Sequence, residues 1–319
     1  MTLTGLMQDR ALTMGSLVDH VARNHRGREV AGRDAAGKLV RSSWGEVAAR
    51  ARRVAAALSG LGLEPGDRVA TLAWNRIPHL ELYFGVTAAG LVLHTVNPRL
   101  YPEQLVYILN HGGAKVLCVD PDLLGIVEGI ADQLDWIETI VVLCARAELP
   151  ESGLPDLVHY EQWLTAALPL AAWPDLDERS AAILCYTSGT TGNPKGVLYS
   201  HRSTLLHAMS ACSADSMAMA ARDNALLVTP LFHVNAWGVP FAAAMAGAKL
   251  VLPGSQLDPA SILSLLDSER ITFSLGVPTV WLGFAAHHDA LPAAERPRAC
   301  AATGFHGRCG HTAIADRLV

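Results

Sequence analysis

Charge is scarce in this 319-residue chain: Asp, Glu, Lys and Arg together make up 17% of it, while half of its residues are hydrophobic. That balance excludes global disorder and supplies ample side chain for a large core. No basic block interrupts the mixed charges, and the net charge is −5, so neither nucleic acid nor an anionic membrane is expected as a partner. The cysteines, at 118, 144, 185, 212, 300 and 309, form no CxxC pair and no regular spacing. Several sit in apolar runs such as Val116–Val119, where a free thiol packs as a small hydrophobe. No apolar stretch of eighteen residues exists, and Asp9, Arg10 and Asp19 leave no room for a signal-peptide core. These absences predict a chain without a membrane span, in a reducing, cytoplasmic setting, working on small molecules.

What is present is an alternation of two periods. Ser43 to Glu46 can form a capping box ahead of Val47, Ala51, Val54, Leu58 and Leu61, which recur at helical spacing. Pro65-Gly66 turns the chain into a strand over 68–74, followed by a helix over 77–89, a strand over 91–95, a helix over 102–110 stopped by Gly112-Gly113, and a strand over 115–119. The proline-containing stretch 146–178 reads as a loop-rich bridge. Beyond it come a strand over 181–186, a helix over 203–212, a strand over 225–229, a mostly helical stretch over 234–247, a strand over 249–252, a helix over 259–269 and a strand over 271–275. The fold class this predicts is α/β, with mainly parallel sheets flanked by helices.

Two segments carry chemistry. Tyr186-Thr187-Ser188-Gly189-Thr190-Thr191-Gly192-Asn193-Pro194-Lys195-Gly196 interleaves hydroxyls and glycines ahead of one lysine. Glycines let a backbone approach phosphate closely, hydroxyls donate to its oxygens or ligate Mg²⁺, and a lysine adds a point charge. The spacing is not that of the Walker loop. About forty residues later, Pro230-Leu231-Phe232-His233-Val234-Asn235-Ala236-Trp237-Gly238 stands where a strand hands over to a helix, the end at which open α/β sheets hold ligands.

Both segments resemble signatures of the adenylate-forming (AMP-binding) superfamily. The stretches 93–100, 107–111, 199–202, 247–254 and 276–281 look like its medium- and long-chain fatty-acid–CoA ligase branch, over roughly residues 10 to 290. The resemblance implies stacked subdomains and ATP-dependent activation of a fatty acid to acyl-adenylate and then acyl-CoA, with ATP, Mg²⁺ and CoA taking part. It implies that Thr187, Ser188, Gly189, Thr190, Thr191, Gly192 and Lys195 hold the phosphates, with Thr187 on the Mg²⁺ side. Lys195 and His233 would be catalytic, and His233, Val234 and Trp237 would line the acyl channel. The same chemistry on another carboxylic acid is a second reading, and a homodimer is compatible with the family.

The expected domain plan is a partial AMP-binding domain over 1–295 and an atypical tail over 296–319, without the C-terminal lid domain. The Tyr-Gly-x-Thr-Glu motif, whose Glu shares Mg²⁺, is not in the sequence. The ribose-binding Asp, the hinge and the lid lysine would lie beyond Val319. A catalytically silent fragment that at most binds nucleotide or a partner is therefore the alternative reading. Cys300, His306, Cys309 and His311 lack zinc-site spacing.

Overall fold

The computed structural model describes residues 5, 7, 9–187 and 193–292. Two sheets organise them. The first half contributes α1 (Met14–Asn24), β1 (Glu29–Arg33), β2 (Leu39–Ser43), α2 (Trp44–Ser59), β3 (Arg68–Leu72), α3 (Ile77–Ala88), β4 (Val92–Thr95), α4 (Pro102–Gly112), β5 (Ala114–Val119), α5 (Leu124–Glu128) and β6 (Thr139–Val142). The second half contributes β7 (Val158–His159), α6 (Tyr160–Ala166), β8 (Ala181–Thr187), β9 (Lys195–Ser200), α7 (His201–Cys212), β10 (Asn224–Leu226), α8 (Val239–Ala246), β11 (Lys249–Leu252), α9 (Pro259–Ser268), β12 (Phe273–Ser274) and α10 (Pro278–Ala290). The seven-stranded sheet runs β7-β6-β5-β3-β4-β8-β9, and the five-stranded sheet runs β12-β10-β11-β1-β2. Every pairing is parallel except β8 with β9 and β1 with β2, each at one edge of its sheet.

Side-chain alternation along the strands explains the layers. In β5, Val116 and Cys118 face one core while Leu117 and Val119 face another. In β11, Leu250 and Leu252 face the first core and Val251 a third. Period-2 alternation of apolar residues on both faces demands cover on both faces. Leu105, Ile108 and Leu109 of α4 cover the outer side of the larger sheet; Leu265, Trp281 and Phe284 of α9 and α10 cover that of the smaller. Between the sheets lies the central core, filled by Leu17 of α1, Trp44 and Leu58 of α2, Tyr83 and Phe84 of α3, and Phe241 of α8. Helix α3 is buried around nearly its whole circumference because it sits in that middle layer, its polar His79 and Glu81 both hydrogen-bonded.

Ser43 caps α2 at the predicted place, although the Glu46 carboxylate accepts from the Ser42 and Ser43 hydroxyls instead of closing a full capping box. Ser43 Oγ accepts the Glu46 N–H at 3.2 Å and so satisfies an otherwise free donor of α2. Helix α4 ends on Gly113 at φ 59°, a left-handed cap that favours glycine. Other expectations need correction. The bridge over 146–178 is not wholly loop: it contains β7 and α6, the latter docked by buried Tyr160 and Leu164. Strands β2 and β9 are edge strands whose faces are only partly covered and which carry no clear periodic signal; the short interior strand β1 was likewise not anticipated. The strands expected over 225–229 and 271–275 are shorter, and the helix expected from 234 begins only at Val239.

Candidate functional site

The phosphate-type loop is the tip of a β-hairpin. Thr187 closes β8, Lys195 opens β9, and the two are paired across the antiparallel ladder. Tyr186, Thr187, Lys195 and Gly196, read as part of one loop, are therefore strand residues, and Thr187 and Lys195 are exposed at the hairpin's open end. Ser188, Gly189, Thr190, Thr191 and Gly192 lie outside the described residues. Because β8 runs parallel to β4, the tip projects from the edge of the sheet where the parallel strands end in their carboxyl termini. Among the described residues Lys195 forms no ion pair, which leaves its ammonium available to an anion.

Under the hairpin, Tyr186 shares a 2.6 Å hydrogen bond with His111 Nδ1 and packs its ring 5.2 Å from that of His94. His94 is fully buried, and neither ring nitrogen has a hydrogen-bond partner among the described residues. Burial pushes its pKa down to about 3. A histidine with a folded pKa below its unfolded value contributes stability that is fully present above pH 6.5 and is lost as the pH falls toward 3. Replacing His94 by Leu is therefore expected to shrink the loss of stability between pH 7 and pH 5 by about 2 kcal/mol. Urea unfolding at the two pH values measures this. An identical loss in both proteins would place the acid sensitivity elsewhere.

The second motif departs most from expectation. Val234, Asn235, Ala236 and Trp237 have φ of 47°, 53°, 48° and 53°, and Gly238 follows at 71°. They form a turn of left-handed helix, not the start of α8. Gly238 is required twice over, by its positive φ and because a Cβ there would lie 2.5 Å from His207 Nδ1. The irregular chain leading into the turn is pinned by side chains. Asn75 donates to the carbonyls of Leu227 (2.7 Å) and Thr229 (3.0 Å) and accepts the Leu231 N–H at 2.8 Å. The Tyr83 hydroxyl donates to the Leu231 carbonyl. Within the turn, the Cys185 thiol donates to Asn235 Oδ1 at 3.0 Å.

That last bond joins the two motifs, since Cys185 lies in β8 two residues before Thr187. Val234 and Trp237 share the wall of a cavity of about 400 Å³ with Tyr199, His207, Met217 and Phe241. Of the three residues expected along an acyl channel, Val234 and Trp237 therefore share one mostly apolar cavity. His233 is exposed and takes no part in its wall. No hydrogen bond among the described residues joins His233 to Thr187 or Lys195. The roles of Asn75, Tyr83, Cys185 and His207 escaped the sequence reading. Only Asn75 carried a usable signal, a polar residue directly after the apolar run of β3.

A family model described as AMP-binding enzyme matches residues 18–307. The chain belongs to the AMP-binding enzyme family. Among the family's curated proteins, the medium-chain-fatty-acid–CoA ligase of Ectopseudomonas oleovorans is 49% identical over 284 residues, covering 89% of this chain and 52% of that protein. The 3-methylmercaptopropionyl-CoA ligase of Ruegeria pomeroyi is 47% identical, covering 89% and 53%. The chain spans about half the length of these relatives. A solved long-chain-fatty-acid–CoA ligase from Archaeoglobus fulgidus shares the fold, with a TM-score of 0.77 at 18% identity over 91% of this chain and 56% of that one.

The AMP-binding family implies a magnesium nucleotide, and the donors can be tested against it. Among the described residues no group of three or more His, Cys, Asp or Glu could hold a metal ion. Thr187 offers a single neutral oxygen. Such a donor fits Mg²⁺ that arrives on phosphate oxygens with most of its shell already filled, not a cation caged by protein. A larger cleft, of about 850 Å³, opens beyond the ends of β3, β5 and β6. Two of its arginines are already engaged: Arg50 pairs with Glu81 and Glu161, and Arg76 with Asp122 and the buried Asp120 behind it. No helix among the described residues is long and apolar enough to cross a membrane, and cysteines 118, 144, 185 and 212 are free thiols.

Proposed function

We propose that this chain binds ATP and a medium- or long-chain fatty acid and serves their conversion to acyl-adenylate and then acyl-CoA. In the first step the carboxylate attacks the α-phosphate and pyrophosphate leaves; in the second, the CoA thiol displaces AMP. The observation that carries the reading is the Cys185–Asn235 contact, which sets an apolar cavity against the strand that ends in the phosphate-type hairpin. An acyl chain held in the cavity would direct its carboxylate out toward the nucleotide, and fixing two reactants in line removes much of the entropic part of the barrier. Lys195 and the hydroxyls of the tip would stabilise negative charge as it spreads over the phosphates. Mg²⁺, when bound, would neutralise further phosphate charge. The likeness to a medium-chain ligase supports a fatty acid as substrate, and an apolar cavity of 400 Å³ is in the range that holds small ligands.

Equilibrium binding of ATP and of octanoate to residues 1–319, with AMP and acyl-CoA followed in the same sample, tests the reading. Binding of neither ligand would overturn it. Binding without turnover would assign the chain the substrate-holding part of the reaction only. A panel of acids, including a short thioether acid, separates a fatty-acid site from one tuned to another carboxylate.

Trp237 provides a sharper test. Replacing it by Ala enlarges the cavity, so affinity is expected to move toward longer acids by about 1–3 kcal/mol, while ATP affinity changes less than twofold. The ratio of octanoate to dodecanoate affinity measures the effect. Equal losses for every acid and for ATP would assign Trp237 to packing.

A further inference from the structure

We infer that Cys185 and Asn235 are a positioning pair that holds the 234–237 turn in its left-handed form and so determines the shape of the cavity. The inference rests on the proposed acyl-binding role of that cavity only for its effect on substrate choice.

The argument begins with backbone energy. A left-handed helical conformation costs roughly 1–2 kcal/mol per residue for a side chain with a Cβ. Val234, Asn235, Ala236 and Trp237 adopt it in succession, so the surroundings must impose it. An alternative is at hand: a right-handed turn over Val234–Trp237, kinked away from α8 by Pro240, whose ring would clash with the carbonyl four residues back in a continuous helix. That path would carry Val234 and Trp237 to other faces and rebuild the cavity wall.

The clamps on the preceding chain, from Asn75 and Tyr83, stop at Leu231. Among the described residues, the Cys185–Asn235 bond is the one side-chain hydrogen bond that reaches into the turn. Asn235 suits the place, because asparagine tolerates the left-handed region better than other residues with a Cβ. Both partners are buried. Thr95 Oγ1 lies 3.2 Å from the sulfur on the neighbouring strand β4 and completes a chain of polar atoms, Thr95–Cys185–Asn235. Burial raises the thiol's pKa, so Cys185 stays protonated and able to donate. In an apolar surrounding such a bond is expensive to leave half made.

Three variants of residues 1–319 test the pair: Cys185→Ala and Cys185→Ser, which remove and keep the donor, and Asn235→Gly, which removes the acceptor while remaining at ease at positive φ. The readout that needs no ligand is the ¹⁹F resonance of 5-fluorotryptophan at position 237, assigned by its disappearance in Trp237→Phe. Cys185→Ala and Asn235→Gly are expected to shift this resonance, and Cys185→Ser to leave it near its original position. The second readout is the ratio of octanoate to dodecanoate affinity, measured by displacement of a dansylated fatty acid, with ATP affinity as a control. The two bond-breaking variants are expected to change the ratio about tenfold, ATP affinity by less than twofold, and Cys185→Ser neither. A resonance unmoved in both bond-breaking variants would overturn the pairing. A moved resonance in a protein that binds no fatty acid would keep the pair and overturn the acyl reading of the cavity. A moved resonance with an unchanged acid ratio would overturn the pair's influence on substrate choice.

Discussion

Replacing Lys195 by alanine is expected to lower kcat/KM for ATP about a hundredfold and to leave the unfolding midpoint unchanged. The two halves of that expectation have separate causes. Lys195 is exposed at the head of an edge strand, where its stem covers little apolar surface. Removing it thus costs the fold almost nothing. Lys195 pairs with Thr187 at the open end of the hairpin, the proposed entry of the triphosphate. One preorganised charge at a site where negative charge develops is worth about 3 kcal/mol, or about a factor of a hundred in rate. The assay requires these residues within a chain of the relatives' full length, followed by pyrophosphate release at varied ATP. Lys195→Arg, which keeps a charge of different shape, should recover part of the loss. An unchanged kcat/KM in the alanine variant would remove Lys195 from the nucleotide site.

Arg76→Ala is expected to destabilise the protein by about 3–5 kcal/mol, since it would strand a buried carboxylate. Arg76 Nη1 lies 3.1 Å from Asp120 and 2.8 Å from Asp122, and the side chains of Arg76 and Asp120 are only 4% and 1% exposed. Asp120 also accepts the Trp74 N–H at 2.8 Å, which fixes it where β5 gives way to its loop. Burial pushes the Asp120 carboxyl up to about 7 even with the arginine opposing. Without Arg76 the carboxyl is driven further toward its neutral form. A folded-state pKa raised above the unfolded value gives stability that is present at low pH and is lost as pH rises. The deficit of the variant should therefore be smaller at pH 5 than at pH 8, as read by urea unfolding at each. Adding Asp120→Leu removes the stranded charge and should restore much of the loss. A deficit below about 1 kcal/mol, the value of a surface pair, would show that the two charges are solvated after all.

The arrangement of layers was legible because it follows from local periods. Residues such as Val116-Leu117-Cys118-Val119 declare a strand buried on both faces, and 47, 51, 54 and 58 declare one face of a helix, wherever the segments finally pack. The hydroxyl-, glycine- and lysine-containing string marked a candidate phosphate site through residue types, and Val234 and Trp237 share a cavity wall.

The edge hairpins and the left-handed turn were decided elsewhere. A right-handed helix was the reasonable expectation for Val234 to Trp237, because nothing in those residues opposes one. The sequence by itself determined the alternation of strand and helix, the apolar faces and the chemical character of the two motifs, all of which depend on neighbours a few residues away. Only the tertiary structure decided the conformation of the turn and its approach to the hairpin. Those depend on Asn75, Tyr83 and Cys185, which bond to Leu231 and Asn235 across 156, 148 and 50 residues of chain. A hydrogen bond worth having only when both partners leave water cannot be read from either partner's local sequence.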